Sequence, residues 1–355
     1  MDRFLNHPSD HSFSPTKHQA LPTTLKEPFR TVHISNLADD FYSNHLDWHQ
    51  NTLMFVCENK IKLMDFYSNR ITDLKSFGSA TVTCVKFGSD GKCAIVGTSN
   101  GNLHIIDMCT KKTSKFNVHR SRIGTVEPKD NVLVTGSRDR QIKCMDMRSK
   151  HISFAVEKHV QEVCGVRMNR SATLLASGGN DNKVFVMEMR NLKKEIKICA
   201  HRAAVKAIDW SKGSDWMMVS GGGTADKIIR IWNVYGITND NNENSSHMHM
   251  KRAHGLQSTS TTDKMLVKAQ SFNSQVCNVY WSSTNKILST HGYSKNDARI
   301  SNLSLRTTNV MCSHKNRVIH FAVNERLGCF VTGSADNKLC FWRMEDFEDI
   351  GMWLR

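Results

Sequence analysis

His159-Val160-Gln161-Glu162-Val163-Cys164-Gly165-Val166, followed shortly by Leu175-Ala176-Ser177-Gly178-Gly179-Asn180-Asp181, decides how this chain folds. The stretch opens on a His, runs through a β-prone segment, then a small-residue strand that ends in a Gly turn and an Asp. The pattern returns outward in both directions. His201-Arg202-Ala203-Ala204-Val205-Lys206-Ala207-Ile208 and His314-Lys315-Asn316-Arg317-Val318-Ile319-His320-Phe321 open like units, and His119 opens another. Asn273-Ser274-Gln275-Val276-Cys277 is a variant without the His. Leu133-Val134-Thr135-Gly136-Ser137-Arg138-Asp139 and Phe330-Val331-Thr332-Gly333-Ser334-Ala335-Asp336 repeat the turn and its Asp. A further strand then closes near an aromatic, as in Ile229-Arg230-Ile231-Trp232 and Leu339-Cys340-Phe341-Trp342.

His119 to His159 spans 40 residues and His159 to His201 spans 42. That period, with an early His, an Asp turn and a late Trp, is the signature of WD repeats. Seven units are counted, centred on 47–65, 82–107, 119–147, 159–188, 201–233, 274–303 and 314–343. The fold class is therefore all-β, a seven-bladed WD-repeat propeller. Buried polar groups must be paired, so Asp139, Asp181, Asp226 and Asp336 are read as staples taking hydrogen bonds from the turn backbone and the early His. A His/Ser/Asp set that recurs once per unit is not a hydrolase triad, which occurs once. The last unit stops after its third strand at Arg343. Phe29-Arg30-Thr31-Val32-His33-Ile34 alternates like a strand and should supply the fourth, closing the ring and removing its exposed edges. The expected organisation is a disordered arm over 1–28, the propeller over 29–345, an insertion loop over 236–268 between the fifth and sixth units, and a tail over 346–355.

With 355 residues and 39% hydrophobic content the chain is an ordinary globular length and balance. No run approaches the ~18 apolar residues of a membrane span, and Met1-Asp2-Arg3-Phe4-Leu5-Asn6-His7 lacks the apolar core of a secretory signal. The eleven Cys are scattered without a Cys-x-x-Cys pair, which favours reduced thiols. Net charge is +15, but Lys and Arg are dispersed rather than blocked, which disfavours nucleic acid as a partner. His247, His249 and His254 have no Cys or carboxylate cluster beside them and read as polar loop rather than metal ligands. Gly221-Gly222-Gly223-Thr224-Ala225-Asp226-Lys227 is followed by β-rich sequence rather than a helix, so it is a turn and not a phosphate loop. No enzyme, metal or cofactor is expected.

Several strings resemble the fizzy and fizzy-related family over about residues 28–345. They are Leu37-Ala38-Asp39-Asp40-Phe41-Tyr42-Ser43-Asn44 with Leu46-Asp47-Trp48, Gln161-Glu162-Val163-Cys164-Gly165, Ala176-Ser177-Gly178-Gly179-Asn180-Asp181-Asn182, Ala204-Val205-Lys206-Ala207, Gly221-Gly222-Gly223-Thr224, Ser274-Gln275-Val276-Cys277 and Ser289-Thr290-His291-Gly292. The resemblance implies a substrate-recruiting coactivator of the anaphase-promoting complex, a ubiquitin ligase. Its partners would be ligase subunits and degron-bearing substrates such as cyclins. It would act as a monomer within that large complex, in nucleus and cytoplasm. Asp2-Arg3-Phe4-Leu5 resembles the family's ligase-docking C-box, with Asn6 where Pro is usual, and Leu354-Arg355 resembles its Ile-Arg terminus. By the same resemblance a KEN degron would meet Asp47, Asn180, Asn182, Thr224, Gln275 and Arg317, with Asp47 taking its Lys and Arg317 its Glu. Thr81 stands where an aromatic is usual. A D-box degron would meet Asp40, with Asn337 in place of a second acid. Residues 9–27 hold no copy of the checkpoint-binding segment, so the chain reads as a diverged, cortex-like meiotic member. The alternatives are a generic WD-repeat scaffold or a basic nucleic-acid-associated propeller.

Overall fold

In a computed structural model, residues 24–235 and 261–344 are described. They form seven sheets arranged as blades, each with four antiparallel strands running from an inner strand toward an outer edge. Blade 3 is representative: Ile123–Lys129 innermost, then Val132–Ser137, Gln141–Asp146 and Ile152–Glu157 outermost. The seven inner strands surround a central channel. They are Leu46–His49, Val82–Phe87, Ile123–Lys129, Val163–Met168, Ala207–Trp210, Gln275–Trp281 and Val318–Asn324.

A ring with a channel has no single core. Apolar residues instead bury in seven layers, one between each pair of consecutive blades. Trp210 and Trp232 fill the layer between blades 4 and 5, and Trp281 the next one. Because both faces of the middle strands are covered, those strands read as unbroken apolar runs rather than alternations. The last layer joins blade 7 to blade 1 through Trp48, Phe55, Phe66, Leu339 and Phe341. Arg30–His33 pairs antiparallel with Lys338–Arg343, Arg30 opposite Phe341 and Val32 opposite Leu339, so the expected ring closure is present. The Arg30 guanidinium lies 4.2 Å from the Phe66 ring centroid and 4.5 Å from that of Phe341. It also donates to the Phe66 carbonyl at 2.6 Å, bonding blade 7's last strand to blade 1.

Two expected boundaries are corrected. Thr24–Lys26, assigned to the arm, forms a strand parallel to Thr307–Met311 at the edge of blade 6. The insertion lies within blade 5 rather than after it. Leu266–Ser271 pairs with Ile228–Asn233 as that blade's outer strand, preceded by a short helix over Thr261–Met265. Leu266–Ser271 is exposed along its whole length, and Thr24 and Leu25 are exposed as well. Edge strands of this kind bury no stripe, so no periodic apolar signal marks them.

The staples form as the repeat requires. His119, His159, His201 and His314 each bond the turn Asp through Nδ1, at 3.0, 2.9, 2.7 and 3.1 Å. Each also bonds a Thr or Ser of the second strand through Nε2, at 2.8, 3.0, 2.7 and 2.8 Å. In blades 5 and 7 the Trp indole N–H donates to the same hydroxyl, Trp232 to Ser220 and Trp342 to Thr332, both at 2.8 Å. The chemistry differs between blades. Arg230 joins Asp226 at 2.7 Å, and burial together with that guanidinium pushes His201 down. Burial also acts to lower His314, but Asp336 and Cys340 outweigh it and hold the imidazole up to about 9.

Two outcomes follow. Asp226 is fully buried between His201 and Arg230, so Asp226→Ala leaves a buried guanidinium unpaired. It should cost about 3–5 kcal/mol in urea denaturation, more than Asp139→Ala, whose neighbourhood holds no such cation. His314 is raised from an unfolded value of 6.5, so its contribution is complete below pH 6.5 and is lost as pH rises through about 9. Unfolding free energies from urea titrations should therefore fall between pH 6.5 and 9 by up to about 3 kcal/mol, and His314→Gln should flatten that slope.

Candidate functional site

Each inner strand begins where the second strand of its blade ends: Val163 pairs with Gly179, Gln275 with Gly292 and Val318 with Ser334. The starts of the inner strands and the Asp turns therefore share one face of the ring. The hairpins joining first and second strands lie on the other. Asn180, Asn182 and Thr224 sit in the turns of blades 4 and 5, Gln275 and Arg317 at the inner-strand starts of blades 6 and 7, and Asn337 in the turn of blade 7. All six belong to the Asp-turn face.

Asp47 does not, and its assignment beside them is corrected. It lies within Leu46–His49, next to the hairpin, and its carboxylate accepts from Lys86 Nζ at 2.7 Å and from the Phe87 N–H at 2.7 Å. Phe87 is the last residue of blade 2's inner strand, so Asp47 is anchored toward the hairpin face. Asp209 does the same to the Trp281 N–H at 2.8 Å. An Asp at this position thus bonds neighbouring blades, blade 1 to blade 2 and blade 5 to blade 6.

The acids of the Asp-turn face come from a segment that sequence reasoning quoted without assigning it as a unit. Residues 36–45 lead from the ring-closing strand to blade 1 and lie across the mouth of the channel. The Leu37 N–H donates to Asn337 Oδ1 at 3.4 Å, and the Ala38 carbonyl bonds His320 Nε2 at 2.8 Å. Arg317 donates to the Asp39 carboxylate at 2.7 Å and to its carbonyl at 2.8 Å. Asp40 accepts from Arg122 at 3.1 Å, and Arg122 forks onto Glu162 at 2.6 and 2.8 Å. Tyr42 donates its hydroxyl to Asn180 Oδ1 at 2.7 Å, and buried Lys206 donates to the Ser43 carbonyl at 2.8 Å. The Asn44 amide reaches the Gly124 carbonyl at 2.8 Å. With Asn44 also bonded to Thr83 and Val85, this plug touches blades 7, 2, 3, 4 and 5 before its chain enters blade 1. Adjacent acids before an aromatic pair are too common a string to have announced it.

Burial acts to raise Asp40, but hydrogen bonds from Ser43 and the Tyr42 N–H, with Arg122 and Lys206, hold it below the usual carboxylate range. Burial pulls the Lys206 ammonium down to about 8. Arg317 is further braced by Tyr293, whose ring it overlies at 4.7 Å and whose hydroxyl it meets at 2.9 Å. A Cβ at Gly292 would lie 2.5 Å from Arg317 Cβ and 3.1 Å from Gln275 Oε1. That glycine lets blades 6 and 7 approach, and it brings the two side chains together. Gln275 Oε1 is buried without a hydrogen-bond partner. Asn182 and Asn337 both have left-handed backbones, φ 64°, which asparagine tolerates better than most residues. Asn337 and Asp40 are not joined, since the amide oxygen of one takes Leu37 N–H and the carboxylate of the other faces Tyr42, Ser43 and Arg122. Asp2, Arg3, Phe4, Leu5, Leu354 and Arg355, like His247, His249 and His254, lie outside the described residues.

Seven blades of at least four strands each, four of them held by buried His–Asp–Ser/Thr staples, define a WD-repeat propeller. The WD domain, G-beta repeat family matches residues 70–107, 110–146 and 193–233. Meiotic fizzy-related protein 1 of Schizosaccharomyces pombe is 33% identical over 90% of this chain and 71% of its own length. WD repeat-containing protein srw1 of the same yeast is 35% identical over 90% of this chain, and the chain spans 54% of srw1. APC/C activator protein CDH1 of Saccharomyces cerevisiae is 31% identical, with coverage of 90% and 53%. A chain in the crystal structure of a mitotic checkpoint complex superposes with a TM-score of 0.79 at 27% identity, covering 97% of this chain and 99% of that one. The chain belongs to the fizzy-related family of WD-repeat proteins.

The plug makes its own prediction. Arg122→Ala leaves Glu162 buried without its fork and Asp40 without its cation. Hydrogen exchange over residues 37–44 should rise by about tenfold or more, as expected for loss of charge-assisted bonds of ~1.5–3 kcal/mol, while the blade strands stay protected.

Proposed function

We propose that this protein is a substrate-recruiting coactivator of the anaphase-promoting complex, reading KEN degrons on its Asp-turn face. One observation carries the reading most. Gln275, Arg317, Asn180, Asn182 and Thr224 lie on one face, and the Asp39–Arg317 pair there is the charge complement of a degron's Lys and Glu. Docking exchanges that one ion pair for two, degron Lys with Asp39 and degron Glu with Arg317. The amides of Asn180, Asn182 and Gln275 suit the degron Asn, and Gln275 Oε1 waits for a donor. The name of the CDH1 relative, an APC/C activator, supports the ligase as partner. Asp2-Arg3-Phe4-Leu5 and Leu354-Arg355 dock to ligase subunits, cyclin-like proteins are the cargo, and the protein works as a single copy within the ligase in nucleus and cytoplasm. D-box degrons bind more weakly, through Asp40, with Asn337 in place of a second acid.

Titration of KEN and D-box peptides tests the site. Arg317→Ala and Asp39→Ala should each weaken KEN binding about tenfold, whereas Asp47→Ala, on the other face, should leave it unchanged. A KEN affinity that drops in Asp47→Ala and holds in Arg317→Ala would reject this face. Asn337→Asp keeps a residue that tolerates the left-handed turn and adds a charge, so D-box binding should strengthen about fivefold if ~1 kcal/mol is gained. Arg3→Ala combined with deletion of Leu354-Arg355 should abolish co-purification with ligase subunits while the propeller stays folded. Undiminished co-purification would favour a generic scaffold.

A further inference from the structure

Beneath the plug the channel is a blind cavity of about 310 Å³, opening on the hairpin face. Its wall is unusually charged, and the charges do not balance. Three pairs neutralise themselves: Lys86 with Asp47 at 2.7 Å, Arg167 with Glu127 at 3.1 Å and Lys212 with Asp209 at 3.2 Å. Three further cations line the cavity and, among the described residues, have no carboxylate in ion-pair range: Lys129, Arg170 and Lys206. Lys129 ends blade 3's inner strand and Arg170 follows blade 4's, so both stand at the open rim. Lys206 stands at the closed end. It is buried; its ammonium donates to the carbonyl of Ser43 at 2.8 Å, lies 5.6 Å from the Phe41 ring, and feels the Asp40 carboxylate from beyond ion-pair distance. The nearest bond of Arg170 is also to a carbonyl, that of Lys212 at 3.4 Å.

A buried ammonium with a neutral partner is costly to keep charged, and burial accordingly pulls its proton affinity down. Two rim cations and one at the floor leave an excess of three positive charges among the residues that line the pit. Low-dielectric walls of one sign concentrate field in such a pit and draw in counter-ions. We propose that this cavity binds a small, multiply charged phosphoryl anion, its negative groups spanning from Lys129 and Arg170 at the rim toward Lys206. Arg presents a planar fork and Lys a point charge, and both suit phosphoryl oxygens. The volume lies at the small end of ligand pockets, which fits a short polyphosphate better than a bulky cofactor. The site is on the face opposite the degron residues and stands independently of the coactivator reading.

The probe is tripolyphosphate, titrated calorimetrically into the full chain at constant ionic strength, with thermal unfolding followed in parallel. The expected result is one saturable site and an unfolding temperature that rises with the anion. The Lys129→Ala/Arg170→Ala double variant alters partly or fully exposed rim residues and should fold normally. It should bind at least about tenfold more weakly while KEN-peptide affinity is unchanged. Lys206→Met should weaken binding further. If that variant fails to fold, the rim variant decides. Absence of a saturable site overturns the proposal. So does an unchanged affinity in the rim variant, or a stabilisation that chloride reproduces at matched ionic strength.

Discussion

The joint between blade 7 and blade 1 is the contact on which the rest of the molecule rests. Each blade is a twisted sheet with two apolar faces, and neither is covered until a neighbour arrives on each side. Six of the seven apolar layers join blades that follow one another along the chain. The seventh joins its two ends, with Arg30–His33 in blade 7's sheet and Arg30 wedged between Phe66 and Phe341. Without it two blades would expose a sheet face, and the outer edge of blade 7 would be unpaired. Loop-closure entropy has to be met before that contact rewards it, so it is the most non-local bond in the fold.

The same few residues that close the ring also build its working face. Immediately after the closing strand, residues 36–45 cross the mouth and take partners from blades 7, 2, 3, 4 and 5. Closure and site are therefore mechanically coupled: the acids Asp39 and Asp40 are held in place by side chains from opposite sides of the ring. Arg122 illustrates the economy of this arrangement, since one guanidinium bonds Asp40, forks onto Glu162 and lies over the Tyr42 ring at 5.0 Å. The plug also makes the two faces different. It seals the channel on the Asp-turn side and leaves a basic pit open on the other. The +15 net charge of the chain, dispersed in sequence, is thus given a local focus by the convergence of seven inner strands.

What sequence alone determined here is whatever repeats. The His, the Ser/Thr and the Asp of each staple, joined in blades 5 and 7 by a Trp, recur with a period of ~40 residues, and bonding among them is local to one blade, so periodicity read them correctly. The closing strand was legible because Phe29 to Ile34 alternates beside a unit that lacks its fourth strand. Features that do not repeat, or that bury nothing, were not legible. Leu266–Ser271 and Thr24–Lys26 are edge strands without an apolar stripe, and so the insertion and the arm were bounded wrongly. Asp47 repeats with Asp209 as an inter-blade bond, and only the family resemblance had placed it in the site. Which of these acids faces Arg317 depends on the direction of a strand and the path of a loop across a ring. The Asp39–Arg317 contact joins residues 278 apart, and only the closed tertiary structure decides it.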